Sequence, residues 1–173
     1  MLIDIETNYG FIKNAVIRNN KMLLDHNYGY GIYAYYAESM TIENNTLAAK
    51  NGGYFYEPIY LGGYDENVYN NKGTIIINNN TIDGEIEYEA FYIEYMNGTT
   101  RISNNTLKSG ATECYGLYTY YINGNLEVYN NIFQQGTVNY NDYAMYFDET
   151  KPDKGLVYNN FISGKYYTGF YYY

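Results

Sequence analysis

An Asn-Asn pair returns six times along the chain, at Asn19-Asn20, Asn44-Asn45, Asn79-Asn80, Asn104-Asn105, Asn130-Asn131 and Asn159-Asn160. The steps between pairs are 25, 35, 25, 26 and 29 residues. A helical solenoid keeps a fixed period, whereas a β-solenoid hangs loops of different length from its corners and leaves the stacked strands untouched. The flanks repeat as well. Ile17, Ile42, Ile77, Ile102, Val128 and Val157 stand two places before each pair, and Met22, Leu47, Ile82, Leu107, Phe133 and Ile162 two places after it.

Uninterrupted side-chain alternation turns the first Asn of each pair inward with the apolar residues. The expected ladder is therefore Asn19, Asn44, Asn79, Asn104, Asn130 and Asn159, whose stacked amides satisfy one another's hydrogen bonds. The second Asn then takes the corner, where a left-handed residue is needed and Asn is the best non-glycine choice.

A second motif reads small, apolar, Tyr: Gly31-Ile32-Tyr33, Pro58-Ile59-Tyr60, Ala90-Phe91-Tyr92, Gly116-Leu117-Tyr118, Ala144-Met145-Tyr146 and Gly169-Phe170-Tyr171. Turn chemistry precedes the Asn strand at Lys72-Gly73, Asn97-Gly98, Asn123-Gly124 and Lys154-Gly155. β-Branched runs such as Thr74-Ile75-Ile76-Ile77 are frequent, and no helical period is sustained. These features predict an all-β chain folded as a right-handed single-stranded parallel β-helix, with three strands per coil, about five full coils and a terminal strand. One domain spans 1–173, with coils near 4–31, 32–58, 59–90, 91–116, 117–144 and 145–173 and a corner insertion at 62–73.

Through segments such as Ile102-Ser103-Asn104-Asn105-Thr106-Leu107 and Gly116-Leu117-Tyr118, nearly the whole chain resembles the right-handed parallel β-helix repeats of the pectate-lyase-like superfamily. Its Asn and Tyr bias is similar to the repeat regions of adhesin-like surface proteins of methanogenic archaea. That superfamily hosts lyases, epimerases, tailspikes and adhesins alike, so the resemblance implies a fold and leaves function to the site.

By the spacing of the other coils, Ile5 and Glu6 take the places of Met145 and Tyr146, and the chain closes on another Tyr strand, Gly169 to Tyr173. The stack is expected to stand about 30 Å tall at about 4.8 Å per coil. A capping segment is not visible, and solenoid ends bare strand edges and core. The expectation is a piece of a longer exported, extracellular or cell-surface protein, or a subunit meeting other copies head to tail or laterally. The first residues lack the basic and apolar regions of a secretion signal.

Ten basic against nineteen acidic residues leave a net charge of -9, which disfavours nucleic acid and anionic membrane surfaces, and no apolar run reaches transmembrane length. Cys114 is the single cysteine; lying between Glu113 and Tyr115 without a nearby cation, it is expected to be structural. The chain has 28 Tyr and seven Phe but no Trp, a bias that calls for a structural cause. By alternation Tyr33, Tyr60, Tyr92, Tyr118, Tyr146 and Tyr171 form one outward column of offset face-to-face rings. Tyr35, Tyr120 and Tyr173 begin a second, interrupted by Gly62, Glu94 and Asp148. Such a face suits sugar rings or a partner protein, or serves only to stiffen the sheet.

In the lyases that the chain resembles, a groove beside this sheet carries acidic calcium ligands and a basic Arg or Lys. The two arginines, Arg18 and Arg101, align instead with Ser103 and Val16 on the Asn strand. Glu85, Glu87 and Glu89 alternate on one side of an extended segment where calcium could collect; with Glu94, and with Asp148 and Glu149 two coils on, they are the candidate acids. His26, the only histidine, leaves no material for a His-based metal centre or triad. The sequons at Asn44, Asn79 and Asn104 would be buried on the inward Asn, leaving Asn97-Gly98-Thr99 as the accessible acceptor. Thr46, Thr81 and Thr106 form an outward column broken by Lys21, Ile132 and Phe161, a weak ice-binding signature.

The reading that follows is a non-catalytic structural or interaction module of a surface adhesin or filament, with the Tyr residues named above as its face and no catalytic residue. The alternative is a polysaccharide lyase, epimerase or hydrolase acting along that sheet, with the 62–73 insertion as one wall of its groove.

Overall fold

The computed structural model describes residues 2–6, 12–63, 72–109, 114–136 and 142–173. Among them there is no helix, and parallel strands stack into a β-solenoid of about six turns. Each coil contributes one strand to each of three sheets. The first, here the tyrosine sheet, runs from Ile3–Ile5 through Ile32–Tyr35, Ile59–Gly62, Glu89–Met96, Tyr115–Ile122 and Tyr143–Asp148 to Thr168–Tyr172. The second, the asparagine sheet, runs from Ala15–Arg18 to Lys154–Tyr158, and the third from Lys21–Asp25 to Phe161–Gly164. Short strands Tyr28–Gly29 and Tyr54–Phe55 extend the third sheet and continue onto Glu85 and Ile86.

The predicted register is the observed one. Ile17, Ile42, Ile77, Ile102, Val128 and Val157 pair in sequence, as do Met22 through Ile162 on the next sheet. Apart from Val157 and the partly buried Ile162 of the last coil, these residues fill a continuous interior with Phe55, Phe91 and Phe147. Apolar burial at about 25 cal/mol per Å² is the main favourable term in a chain with no disulfide. One alignment shifts by two places. Ile3 and Asp4, not Ile5 and Glu6, pair with Ile32 and Tyr33, because 14 residues separate this strand's core position from Ile17, two more than the 12 from Met145 to Val157. A shift of two keeps the inward face inward.

The two asparagines of each pair exchange the expected roles. Asn19, Asn44, Asn79, Asn104, Asn130 and Asn159 all lie at φ between 52° and 59° and form the corner. A left-handed residue interrupts strand alternation, so the next side chain, not this one, turns into the core. Asn45, Asn80, Asn105 and Asn131 are at most 1 % exposed. Asn20 and Asn160 continue their line at its two ends. Each interior rung is saturated. Asn105 Nδ2 donates to Asn131 Oδ1 at 3.0 Å and to the Ile77 carbonyl at 2.9 Å, while its Oδ1 accepts from Asn80 Nδ2 and from the Asn80 backbone N–H. The same pattern runs from Asn20 to Asn160. Fully paired, a buried amide has its desolvation cost offset by the hydrogen bonds it makes.

Glycine at 73, 98 and 124 is a steric requirement. A Cβ on Gly98 would lie 1.8 Å from the Gly73 carbonyl oxygen, and one on Gly124 2.0 Å from that of Gly98. At the last described coil, Val157 and Phe170, which occupy core positions, are 39 % and 48 % exposed.

Candidate functional site

Strand register places Tyr33, Tyr60, Tyr92, Tyr118, Tyr146 and Tyr171 in one column, as their spacing predicts. The neighbouring column reads Tyr35, Gly62, Glu94, Tyr120, Asp148, and Tyr173 follows at the chain end. The rings do not stack uniformly. Tyr33 and Tyr60 are parallel within 11° at 4.6 Å, and Tyr118, Tyr146 and Tyr171 continue in parallel at 5.2 and 5.0 Å. Tyr92 stands at 79° to Tyr60 and 83° to Tyr118, so the expected continuous face-to-face ladder is broken at its middle.

Glu94 accounts for the break. Tyr60 donates its hydroxyl to Glu94 Oε1, and Tyr92 donates to Oε2 at 3.0 Å. Gly62, in register with Glu94, makes the room: a Cβ there would meet Tyr35 Cδ2 at 2.6 Å and Tyr60 Oη at 2.7 Å. Two coils on, Tyr118 donates to Asp148 Oδ2 at 2.7 Å. Burial first, and then these carboxylates, push the hydroxyls of Tyr60, Tyr92 and Tyr118 above the ordinary phenol range.

Beside this column lie two more acids, Glu57 and Glu89, each two residues before the paired Ile59 and Phe91 and so at equivalent places in adjacent coils. Burial, with Glu89 and Glu94 adding like charge, pushes Glu57 up to about 8, and burial pushes Glu89 up to about 7. Glu57 Oε2 is buried without a hydrogen-bond partner. The spacing of acidic residues gave no sign of Glu57, which stands alone before Pro58 in the sequence. Its only signal is the Tyr motif that follows, aligned with the one after Glu89.

A second aromatic cluster also escaped the sequence reading. Tyr28 stacks on Tyr54 at 5.5 Å, Tyr56 stacks on Tyr88 at 6.0 Å, and Tyr28 and Tyr54 meet Tyr56 edge-on. Tyr30 joins this cluster to Tyr33, so aromatic surface runs around the corner from the third sheet onto the tyrosine sheet. The alternate tyrosines at 28 and 30, and at 54 and 56, were the available signal.

The row Glu85, Glu87, Glu89 does not hold together. Glu85 is the penultimate residue of a strand of the third sheet, Glu87 lies in the bend after it and Glu89 opens a strand of the tyrosine sheet, so the chain turns a corner between them. No group of three metal-ligating acid, His or Cys side chains exists among the described residues. Arg18 and Arg101 lie on the asparagine sheet in the expected register, and Arg101 donates to Glu127 at 2.7 Å. His26 is exposed. Cys114 is buried, and burial pushes its thiol well above the usual range.

Asn44, Asn79 and Asn104 are exposed corner residues, which overturns the expectation that their sequons are buried. Thr46, Thr81 and Thr106 pair as predicted, flanked by Lys21 and Ile132. Most of the 62–73 insertion, residues 64–71, lies outside the described residues.

Compared with family models, with curated proteins and with solved structures, the chain matches none.

Proposed function

We propose that the protein is a non-catalytic structural and interaction module, a pectate-lyase-like β-helix belonging to a cell-surface adhesin or extracellular filament. Its tyrosine sheet is the contact face for a surface glycan or a neighbouring chain. The observation that supports this reading is the single registered column from Tyr33 to Tyr171, flanked by a second aromatic cluster. Tyrosine offers large, rigid contact area with a polar tip at low entropic cost, which suits a broad contact surface better than a pocket. Lateral or head-to-tail association of copies belongs to the same reading.

The test combines glycan-array and cell-surface binding with particle mass at two concentrations. Binding or association that Tyr92→Ser and Tyr118→Ser weaken supports the proposal. Blank arrays, no cell-surface binding and one unchanging particle mass would end it.

A second reading, a carbohydrate-active enzyme working along the same sheet, draws on one observation: Glu57 and Glu89 are held toward their protonated forms beside Glu94. A carboxyl held protonated near neutral pH is what the general acid of glycosidic cleavage requires. Turnover of a polysaccharide that Glu57→Gln or Glu94→Gln abolishes would favour this reading over the first.

A further inference from the structure

We propose that the tyrosine sheet around Glu94 takes an arginine-bearing segment of another polypeptide, its guanidinium held between phenol rings and the carboxylates of Glu57, Glu89 and Glu94. This rests on the reading of the tyrosine sheet as a contact face and names the chemistry that the face selects.

None of the ten basic residues falls in a strand of the tyrosine sheet, whereas Asp4, Glu89, Glu94 and Asp148 do, and Glu57 lies beside it. The ion pairs of the described residues, such as Lys13 with Glu38 and Arg101 with Glu127, leave these five acids without a cation. A face that carries only negative charge, on a chain of net charge -9, is complementary to a cationic partner.

Each Glu94 oxygen accepts one phenol, and a carboxylate has about four acceptor sites in all, so both oxygens keep capacity for a two-pronged donor. Glu57 Oε2 has no donor within the chain. At the same place Tyr92 turns nearly perpendicular to the rings above and below it, interrupting the self-stacking that occupies the rest of the column. Phenol rings and carboxylates side by side suit guanidinium, which is planar, stacks on aromatic faces and bridges two oxygens, better than the point charge of a lysine.

Glu57 is faced by Glu89 and Glu94 and by Tyr30 and Tyr33 from the coil below; Glu89 is near Tyr30, Tyr92, Tyr118 and Cys114. No base is among these groups. An arriving guanidinium stays charged at all working pH and favours the ionised carboxylates, so binding releases protons and tightens as pH rises from about 6 to about 8.

The experiment is fluorescence polarisation of dye-labelled oligoarginine on the whole chain at low salt, with oligolysine, oligoglutamate and a glucosamine oligomer as parallel probes. Oligoarginine should bind best. Glu57→Gln or Glu94→Gln should weaken it about ten-fold, the scale of one charged hydrogen bond. Glu43→Gln and Asp83→Asn, which remove the same charge from the other two sheets, should change it less than about two-fold. Should Glu94→Gln lose its fold by circular dichroism, Glu57→Gln carries the comparison. Equal loss in all four variants, equal binding of oligolysine, preference for the glucosamine oligomer, or no oligoarginine binding would each overturn the proposal. If oligoarginine is silent while Tyr92→Ser still abolishes cell-surface or array binding, this inference falls and the contact-face reading stands.

Discussion

Tyr118 donates its hydroxyl to Asp148, which sits one coil on and two places further along the strand, and Tyr60 makes the same diagonal reach to Glu94. The two acids stand at two of the three interruptions of the second tyrosine column, so both acidic gaps in the aromatic surface are bridged by a phenol–carboxylate bond. The face is thus a mixed lattice of rings and acids, and its charge is built into its packing.

The corner and the rung should respond differently to substitution. Asn105→Ala leaves the Asn80 backbone N–H without its acceptor in the core and removes side-chain partners from the Asn80 amide, the Ile77 carbonyl and Asn131 Oδ1, the last of which keeps the Asn105 backbone N–H. At about 1–3 kcal/mol per unsatisfied buried group, partly relieved by relaxation, a loss of roughly 3–5 kcal/mol is expected. Asn104→Gly, at φ 56° on the surface, should cost less than about 1 kcal/mol, and denaturant midpoints would rank the two.

Gly98→Ala and Gly155→Ala make a matched pair. The first drives a methyl into the Gly73 carbonyl, backbone against backbone, and should cost roughly 2–4 kcal/mol. The second meets only Pro152 Cγ at 3.1 Å and should stay within about 1 kcal/mol, as thermal melts of both would read.

Acid should stabilise the fold through Glu57 and Glu89. Their folded values, about 8 and about 7, lie above the ordinary carboxyl range, so between the unfolded and folded values the native state binds more protons. That contribution is complete below the unfolded value and is lost as pH rises through about 7 and 8. Melting temperature should therefore fall between pH 5 and pH 8, and Glu57→Gln should flatten the fall by raising the value at pH 8. A flat wild-type profile over this range would refute the assignment.

Cys114 should resist thiol reagents in the native state, being buried with its thiol pushed up. Its labelling rate with a disulfide reagent should follow global unfolding across a urea series. Fast labelling in buffer alone would show that the coil around it opens locally.

The strand register was readable because the apolar residues at Ile17 and Met22 recur at fixed offsets from each Asn pair, and parallel stacking preserves such offsets whatever the loop length. Which asparagine faces inward was not. Alternation counts residues as though every one were extended, and Asn19 and its counterparts at positive φ reset that count. The tyrosine column was legible for the same reason as the core, but its perpendicular ring at Tyr92 depends on hydroxyl bonds to Glu94, which no spacing reveals. Glu57 stayed hidden because its environment is made by an adjacent coil; its neighbour Glu89 is 32 positions away in the sequence.

From Asn20 to Asn160 every rung passes its amide hydrogen forward to the next oxygen, never backward. The line of side chains is therefore a vector. A coil duplicated or deleted between any two rungs meets a donor on one side and an acceptor on the other, whereas an inverted coil would set like against like. Growth and shrinkage by whole coils are conservative events for this architecture, and reversal is not.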